Sequence, residues 1–324
     1  MKKLRQIAGP LKSPLIRGGV ALIRALPYPL ALALGRFFGL LGWLADPFHR
    51  RVAQIQMRHC LGEAYHPSQV RRVFMNHGDI LVDTIRYAYL SHGELKKRIT
   101  IQGREHLDDA LSREKGLMII TGHLGNWEIL AHLPRLLGIR FCVMADVRND
   151  PGIEAVVDGI RSRSGATILP PRGKALMLIR ELKKGNTIGM VMDQRGKRSY
   201  GLFCELFGLP APTNPAPAFI ALKGDAVILP VAAIKEHGRY CIRFYPPREA
   251  SSFGEKDAVA SLSRFMQSWV ESVVSEHPEQ WFWLHCRWAR RSEMRTLIRT
   301  GRDFRTFVLS QGPPAPEQPA SGAP

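Results

Sequence analysis

The stretch GLMIITGHLGNWEILAHLPRLLG, residues 116–138, joins a short apolar run, a loop flanked by glycines and a segment with helical periodicity. The run at 117–121 has the length and composition of a buried strand, and the segment 126–138 ends at Gly138, where a helix would stop. A strand that leads directly into a helix is the repeating unit of layered α/β proteins. The stretch therefore predicts an α/β fold, with the loop at the carboxyl end of a strand.

The same alternation extends through the rest of the chain from residue 99. Further strands are predicted at 139–147, 186–194, 225–234 and 239–247. Further helices are predicted at 153–165, 175–185, 216–224 and 258–280. This order predicts a mixed, partly parallel sheet flanked by helices. Residues 47–98, which precede it, are predicted to be helical.

The chain is strongly basic. Its 324 residues include 46 Lys and Arg against 28 Asp and Glu, which gives a net charge of +18. Such an excess indicates a polyanionic partner, which could be nucleic acid, an anionic membrane surface or an acidic protein. The alternative is that an arginine-rich composition simply follows a GC-rich genome. Five scattered cysteines without a Cys-x-x-Cys pair favour neither a zinc cage nor a disulfide framework, and a reducing compartment fits them best.

The first 46 residues form a distinct basic and apolar segment, with no acidic residue before Asp46. Residues 26–45, LPYPLALALGRFFGLLGWLA, are about as long as a membrane is thick when helical. Two prolines, Arg36 and three glycines weaken this segment as a membrane span, and both of its flanks are basic. An interfacial anchor or a tilted span, attracted to anionic lipid, is therefore predicted, with a buried soluble helix as the alternative.

The predicted organisation is thus a basic membrane anchor at 1–46, one α/β domain at 47–310 and a tail at 311–324. The tail, QGPPAPEQPASGAP, is rich in Pro, Ala and Gly, and this composition predicts disorder.

His123 lies two residues past the strand predicted at 117–121. Reactive groups of open α/β sheets gather at the carboxyl ends of strands. Asn126 is a good helix N-cap, so Glu128 would lie in the first turn and could reach back to His123 across the glycine loop. An imidazole held by a carboxylate is a general base. The helix N-terminus beside it would offer N–H groups to an anion. Without a Gly-x-Ser-x-Gly elbow, the attacking oxygen is predicted to belong to the substrate.

Four blocks of the sequence, in order, resemble a known family. They are TGHLGNWE (121–128), MVMDQRG (190–196), LFGLPAPTNPAPAFIALKGDAVILPV (206–231) and HPEQWFWLHCRW (277–288). On these blocks the chain resembles the bacterial lipid A biosynthesis acyltransferases, late lauroyl and myristoyl transferases within the lysophospholipid acyltransferase superfamily. The resemblance runs from about residue 20 to residue 292 and includes the His-x4-Glu motif.

The resemblance implies transfer of a fatty acyl chain from a thioester, of acyl carrier protein or of coenzyme A, to a hydroxyl of a lipid A precursor. His123 would be the base, and Glu128 would orient it. The family needs no metal or organic cofactor for this chemistry, and it acts at the cytoplasmic face of the inner membrane. Acidic acyl carrier protein, the anionic lipid acceptor and the membrane surface would then be the partners of the basic chain, with no role for nucleic acid.

Substrate contacts are predicted for Asn126, Arg161, Asp193 and Gln194. Arg161 follows the second predicted strand, where the family often has an arginine, and it is a candidate for binding a substrate phosphate or an oxyanion, with the nearby Arg163 as an alternative. Asp193 and Gln194 end a predicted strand and could line the same cleft. Asp193 could hold Arg161 or an acceptor hydroxyl.

The last block carries residues with more than one interpretation. Trp281, Trp283 and Trp288 could pack in the core, which is favoured, or they could lie at the membrane interface or line the groove for the acyl chain. His285 is predicted to be a hydrogen-bonded structural residue. Arg287 could face phosphates or be a surface charge.

Three other functions stay open on the sequence alone. The same His–Glu pair could activate water, which would make the protein a thioesterase or esterase. Acyl transfer to another glycolipid or to a lysophospholipid would use the same residues. A nucleic-acid-binding protein would suit the charge, but the basic residues are dispersed and no nucleic-acid-binding motif is present.

Overall fold

A mixed, mostly parallel sheet of eight strands forms the centre of the computed structural model, which describes residues 9–144, 157–169, 174–254 and 256–312. The strands, with a separate hairpin formed by β6 and β7, are β1 (Ile99–Gln102), β2 (Leu117–Thr121), β3 (Phe141–Met144), β4 (Thr167–Leu169), β5 (Thr187–Val191), β6 (Phe203–Leu206), β7 (Leu209–Pro212), β8 (Val227–Glu236), β9 (Arg239–Phe244) and β10 (Arg248–Glu249).

The sheet has the strand order β1–β9–β8–β2–β5–β3–β4, and β10 pairs with β8. Strands β8, β2, β5, β3 and β4 run parallel to one another, and β1 runs parallel to β9, whereas β9 and β10 pair antiparallel with β8. This confirms the predicted α/β class with a mixed, partly parallel sheet.

Helices cover both faces of the sheet. They are α1 (Gly9–Ala25), α2 (Tyr28–Ala45), α3 (Pro47–Leu61), α4 (Pro67–Ala88), α5 (His92–Arg98), α6 (Arg104–Ser112), α7 (Leu133–Leu137), α8 (Lys174–Lys183), α9 (Ala216–Lys223), α10 (Ala258–Glu276), α11 (Arg291–Thr300) and α12 (Phe304–Leu309). A further short helix covers 157–161. Short 3₁₀ turns connect several of these elements.

Strand β2 lies at the centre of the sheet and is buried on both faces. Met118 and Ile120 pack into one hydrophobic cluster, and Leu117 and Ile119 pack into the other. A strand that is covered on both sides needs an unbroken apolar run, which is why GLMIIT does not alternate with polar residues.

Two predicted helices are shorter than expected, each because of a proline. The segment predicted as a helix at 126–138 is a 3₁₀ turn, Trp127–His132, followed by α7, which has Pro134 in its first turn. Proline lacks the N–H that would continue a preceding α-helix, but it is tolerated at the start of a new one. The helix predicted to reach residue 280 ends at Glu276, two residues before Pro278.

The N-terminal helices lie against the domain. Gly35 of α2 and Gly78 of α4 meet so closely that a Cβ on either one would overlap the backbone of the other. Arg36 donates two hydrogen bonds to Asp79, at 2.9 and 3.0 Å. By length and composition α2 is the one helix of the described residues that could cross a membrane, and only 11% of it is buried. The predicted tail lies outside the described residues from position 313 onward.

Candidate active site

The loop after β2 is held in place by two neighbouring segments. Gly125 has a φ of +53°, and a Cβ there would overlap the carbonyl oxygen of Ala233, so the turn requires glycine. The N–H of Gly125 donates to the carbonyl of Gln280 at 2.8 Å, and the N–H of Phe282 donates to the carbonyl of His123 at 3.0 Å. The C-terminal block QWF at 280–282 therefore fixes the loop that carries His123.

His123 and Asp193 lie side by side because of the strand register. Each follows its strand by two residues, and the last residues of those strands, Thr121 and Val191, are paired. The His123 Nδ1 lies 2.7 Å from Asp193 Oδ1, and the His123 backbone N–H donates to Oδ2 at 2.8 Å. The indole N–H of Trp281 donates to the same Oδ2 at 2.6 Å. A buried carboxylate thus holds both the backbone and the ring of the histidine.

The pKa values of this pair favour charge separation. Burial alone would lower the pKa of His123, but the charge and hydrogen bond of Asp193, with the charge of Glu128, raise it above the ordinary 6.5. Burial would likewise raise the pKa of Asp193, but the charge of His123 and the hydrogen bonds from His123 and Trp281 lower it below 3.8. Asp193 is therefore ionised and accepts a hydrogen bond from the N–H at Nδ1 of His123. In the neutral ring Nε2 is then the basic nitrogen.

Glu128 has a different partner from the one that the sequence predicts. Its two carboxylate oxygens accept hydrogen bonds from the guanidinium of Arg161, at 2.6 and 3.2 Å. The ring nitrogen that Glu128 was expected to hold is held by Asp193, and Asp193 binds His123 and Trp281 instead of Arg161. The sequence places all four side chains in one site but pairs them wrongly, since it does not show that β2 and β5 are neighbours.

A cavity of about 520 Å³ opens beside this site. Its polar wall consists of Thr121, His123, Glu128, Arg161 and Gln194. Its apolar wall consists of Ile119, Trp127, Leu130, Ala131, Phe141, Val143, Met190 and Val191. A cavity of this size, lined by apolar side chains together with charged and polar ones, can hold an apolar chain whose polar end meets the charged groups.

The remaining predicted contact residues take different places. Gln194 lines the cavity, and its amide nitrogen lies 3.2 Å from His123 Nε2. Asn126 is fully buried, accepts a hydrogen bond from Thr84 at 3.1 Å and anchors its N–H on the carbonyl of Ala233. Its side chain makes no cap hydrogen bond, so the predicted N-cap is wrong. Asn126 is not among the residues that line the cavity, and its hydrogen bonds hold the loop in place. Arg163, the alternative to Arg161, stacks on the ring of Tyr89.

The tryptophans of the last block are buried, which confirms the core interpretation. Trp281, Trp283 and Trp288 are at most 3% exposed. Sequence analysis missed that Trp281 also binds Asp193. The one available signal was its place in the block that resembles the family.

The other two residues of that block are structural. His285 accepts the N–H of Arg195 at 3.0 Å, and burial, with the charge of Arg287, lowers its pKa to about 4. Arg287 is 1% exposed and donates to Pro212, Thr213 and Gln267, so it neither faces the surface nor reaches the cavity.

No group of three or more His, Cys, Asp or Glu side chains that could hold a metal occurs among the described residues.

Comparisons with known proteins show which proteins the chain is similar to. A sequence profile of the bacterial lipid A biosynthesis acyltransferases matches residues 12–290. A lipid A biosynthesis lauroyltransferase of Escherichia coli strain K12 is 27% identical over 288 residues, 85% of this chain and 90% of that protein. The lipid A biosynthesis palmitoleoyltransferase of the same strain is 25% identical over 277 residues, 82% of this chain and 87% of that protein.

A third relative differs in its acceptor. A phosphatidylinositol mannoside acyltransferase of Mycobacterium tuberculosis strain H37Rv is 25% identical over 228 residues, 66% of this chain and 70% of that protein. The names of the three relatives share acyl transfer and differ in the chain or the acceptor.

Proposed function

The chain belongs to the bacterial lipid A biosynthesis acyltransferase family and is an acyltransferase, and we propose that it moves a fatty acyl chain from an acyl thioester to a hydroxyl of a lipid A precursor. The observation that carries this proposal is the His123–Asp193 pair, which leaves a basic Nε2 at an apolar cavity. The finer assignments of donor, acceptor and residue roles follow from this pair and the groups around it.

The proposed reaction starts when His123 Nε2 accepts the proton of the acceptor hydroxyl. The hydroxyl oxygen attacks the thioester carbonyl carbon, and the C–S bond breaks as the tetrahedral intermediate collapses. The imidazolium then returns its proton to the leaving thiolate, so that the ring ends neutral. Asp193, 2.7 Å from Nδ1, stabilises the imidazolium and holds the productive tautomer.

We assign electrostatic roles to the other polar residues of the cavity. Arg161 and Gln194 carry N–H donors in the cavity wall, where they would stabilise the oxyanion or a phosphate of the substrate. Glu128 holds the Arg161 guanidinium and raises the pKa of His123 through its charge. Glu128 thereby acts on the base at a distance, while Asp193 acts by contact.

The pH dependence of Glu128→Gln tests whether the charge of Glu128 acts on His123. His123 must be neutral to act, so kcat/KM of the native protein should fall as the pH drops through a pKa above 6.5. Removing the charge of Glu128 removes one of the interactions that raise this pKa, so the midpoint should move to lower pH. The rate at high pH should fall roughly 10- to 100-fold, because Arg161 loses its partner. Rates measured from pH 5 to 9 check both, and an unchanged midpoint would contradict the assignment.

We propose acyl carrier protein as the donor, with acyl coenzyme A as the alternative. Acyl carrier protein is acidic, and the net charge of +18 on this chain favours an acidic partner. The acceptor, a phosphorylated sugar lipid, is anionic as well.

The relative named for phosphatidylinositol mannoside favours one second candidate, acyl transfer to a different glycolipid. Mass spectrometry of lipids from cells that lack or overproduce the protein tests both. A lipid A species that loses one acyl chain in the deletion supports the first proposal, and a change confined to another glycolipid supports the second.

An incubation without acceptor distinguishes hydrolysis from acyl transfer. Incubated with an acyl carrier protein thioester and no acceptor, a transferase should release fatty acid far more slowly than it acylates the acceptor when the acceptor is present. Equal thioester loss with and without acceptor would identify a hydrolase.

We propose that α2 lies in the cytoplasmic membrane interface of the inner membrane without crossing it. The helix is tied to the domain by Arg36–Asp79, by the Gly35–Gly78 contact and by a 2.9 Å hydrogen bond from Tyr28 to Asp83. A crossing helix would draw these charged residues of α4 toward the hydrocarbon core, which is costly. Its outward apolar face consists of Leu30, Phe37, Phe38, Leu41 and Leu44, all exposed.

Removing two aromatic rings from this apolar face should weaken membrane binding. Phe37 and Phe38 are 53% and 60% exposed. Phe37→Ser with Phe38→Ser should lower affinity for anionic vesicles roughly 30- to 1,000-fold, since each ring contributes ~1–2 kcal/mol when inserted. Vesicle co-sedimentation measures the change. The matched control is Leu111→Ser with Leu309→Ser, two exposed residues off this face. Equal loss in both variants would contradict the interface assignment.

A further inference from the structure

Residues that pair across β2, β5 and β3 form rows, and these rows mark successive depths of the cavity beside His123. Thr121 pairs with Val191 in the row nearest His123. Gly189 pairs with Ile119 on one side and Val143 on the other, two residues further in. Residues two apart on a strand lie on the same face, about 7 Å apart. These two rows therefore form successive levels of one cavity wall.

Phe141 stands in the third and deepest row. It pairs with Thr187, which pairs with Leu117, about 13 Å from the Thr121 row. Among the three residues of this row, Phe141 is the one that lines the cavity. Its side chain is buried, with 3% of the residue exposed.

The ring of Phe141 leans back over the neighbouring strand. A Cβ built on Gly189 would overlap the Phe141 ring, so the ring occupies the space that a side chain at 189 would fill. The backbone of Phe141 is in the row of Thr187, but its ring lies in the row of Gly189 and closes the apolar end of the cavity there. The ring fits because Gly189 has no side chain. Thr121 stands in the opposite end row, and His123 follows it by two residues.

We infer that Phe141, packed on Gly189, is the floor that limits the length of the acyl chain transferred. This inference rests on the proposed function, because the chain occupies the cavity with its thioester carbonyl beside His123. A chain that reaches the ring fills the apolar end, and a longer one meets the ring edge.

Two substitutions and their combination should change the chain length in defined ways. Phe141→Leu deepens the cavity, and the product ratio of chains that differ by two methylenes should shift roughly 15-fold toward the longer one, since each extra buried methylene is worth about fourfold. Gly189→Ala places a methyl group where the ring now lies and should shift the products to shorter chains. Combining Gly189→Ala with Phe141→Leu removes this overlap and should restore lengths near those of the native protein.

The experiment presents the full-length protein with a mixture of acyl carrier protein thioesters of graded length and a lipid A precursor, and mass spectrometry gives the product ratio. Phe244→Leu is the control, since Phe244 is equally buried, at 2% exposure, but does not line the cavity. It should lower the Tm as Phe141→Leu does and leave the product ratio unchanged.

A second measurement needs no turnover. Thioether analogues of acyl pantetheine, graded in length, should raise the Tm of the native protein with an optimum length, and Phe141→Leu should move that optimum to longer chains. If the native protein transfers no chain, the proposed function fails. The dependence of Tm on chain length still tests whether Phe141 limits the length of the bound chain. An unchanged product ratio in active Phe141→Leu and Gly189→Ala, or stabilisation independent of chain length, overturns the inference and leaves acyl transfer intact.

Discussion

Asp193→Asn is expected to lower kcat for acyl transfer about 10³- to 10⁴-fold with the fold retained. Oδ2 of Asp193 accepts two N–H groups, from the His123 backbone and the Trp281 indole. An asparagine would turn its carbonyl oxygen toward these two donors, since its NH₂ group cannot face them. The NH₂ group would then face His123 Nδ1 and donate to it, which moves the ring proton to Nε2. The nitrogen that faces the cavity would no longer be a base.

The rate is measured from pH 5 to 9. If the ring proton is on Nε2, the rate should stay low even at high pH. Glu128→Gln serves as the comparison, since it removes a carboxylate from the same cavity without touching the ring. A loss in Asp193→Asn no larger than that in Glu128→Gln would show that Asp193 does not orient the base.

His123→Ala should reduce kcat to a similar extent, about 10³- to 10⁴-fold, because it removes the base that Asp193 orients. The side chain lies at the edge of the cavity, 18% exposed, so the loss of packing should be small. Residues that act as one unit are not additive. Adding Asp193→Asn to His123→Ala should therefore cost little further activity.

The control for His123→Ala is His285→Asn, which keeps an acceptor for the Arg195 N–H. It should stay within about tenfold of the native rate, since His285 makes a structural hydrogen bond. Circular dichroism and Tm confirm folding of all variants. Native-like transfer by His123→Ala, or a fully additive double variant, would refute the general-base assignment.

Much of this molecule follows from local sequence. The apolar run at 117–121 has the length and composition of a strand covered on both faces, and the glycines around His123 permit the turn that carries the histidine to the sheet edge. The family blocks, in order, predicted the acyltransferase assignment. These features depend on residues near in the chain, or on motifs that survive without knowledge of the fold.

Where sequence analysis failed, the cause was long-range pairing. Glu128 is five residues from His123 and Asp193 is seventy, so chain distance favoured Glu128 as the partner. The register of β2 on β5 reverses this by placing Asp193 level with His123.

The sequence by itself determined the layered α/β class, the place of His123 in the loop after β2, the basic charge and the apolar N-terminal helix, because composition and periodicity act locally along the chain. Only the tertiary structure decided that Asp193 holds the His123 ring, that Arg161 holds Glu128, that Arg287 is buried and that Phe141 lies over Gly189. Each of these contacts joins elements whose neighbours are set by the packing of the sheet as a whole. Backbone hydrogen bonding between strands fixes that order, and it leaves no trace in the spacing of residues along the chain.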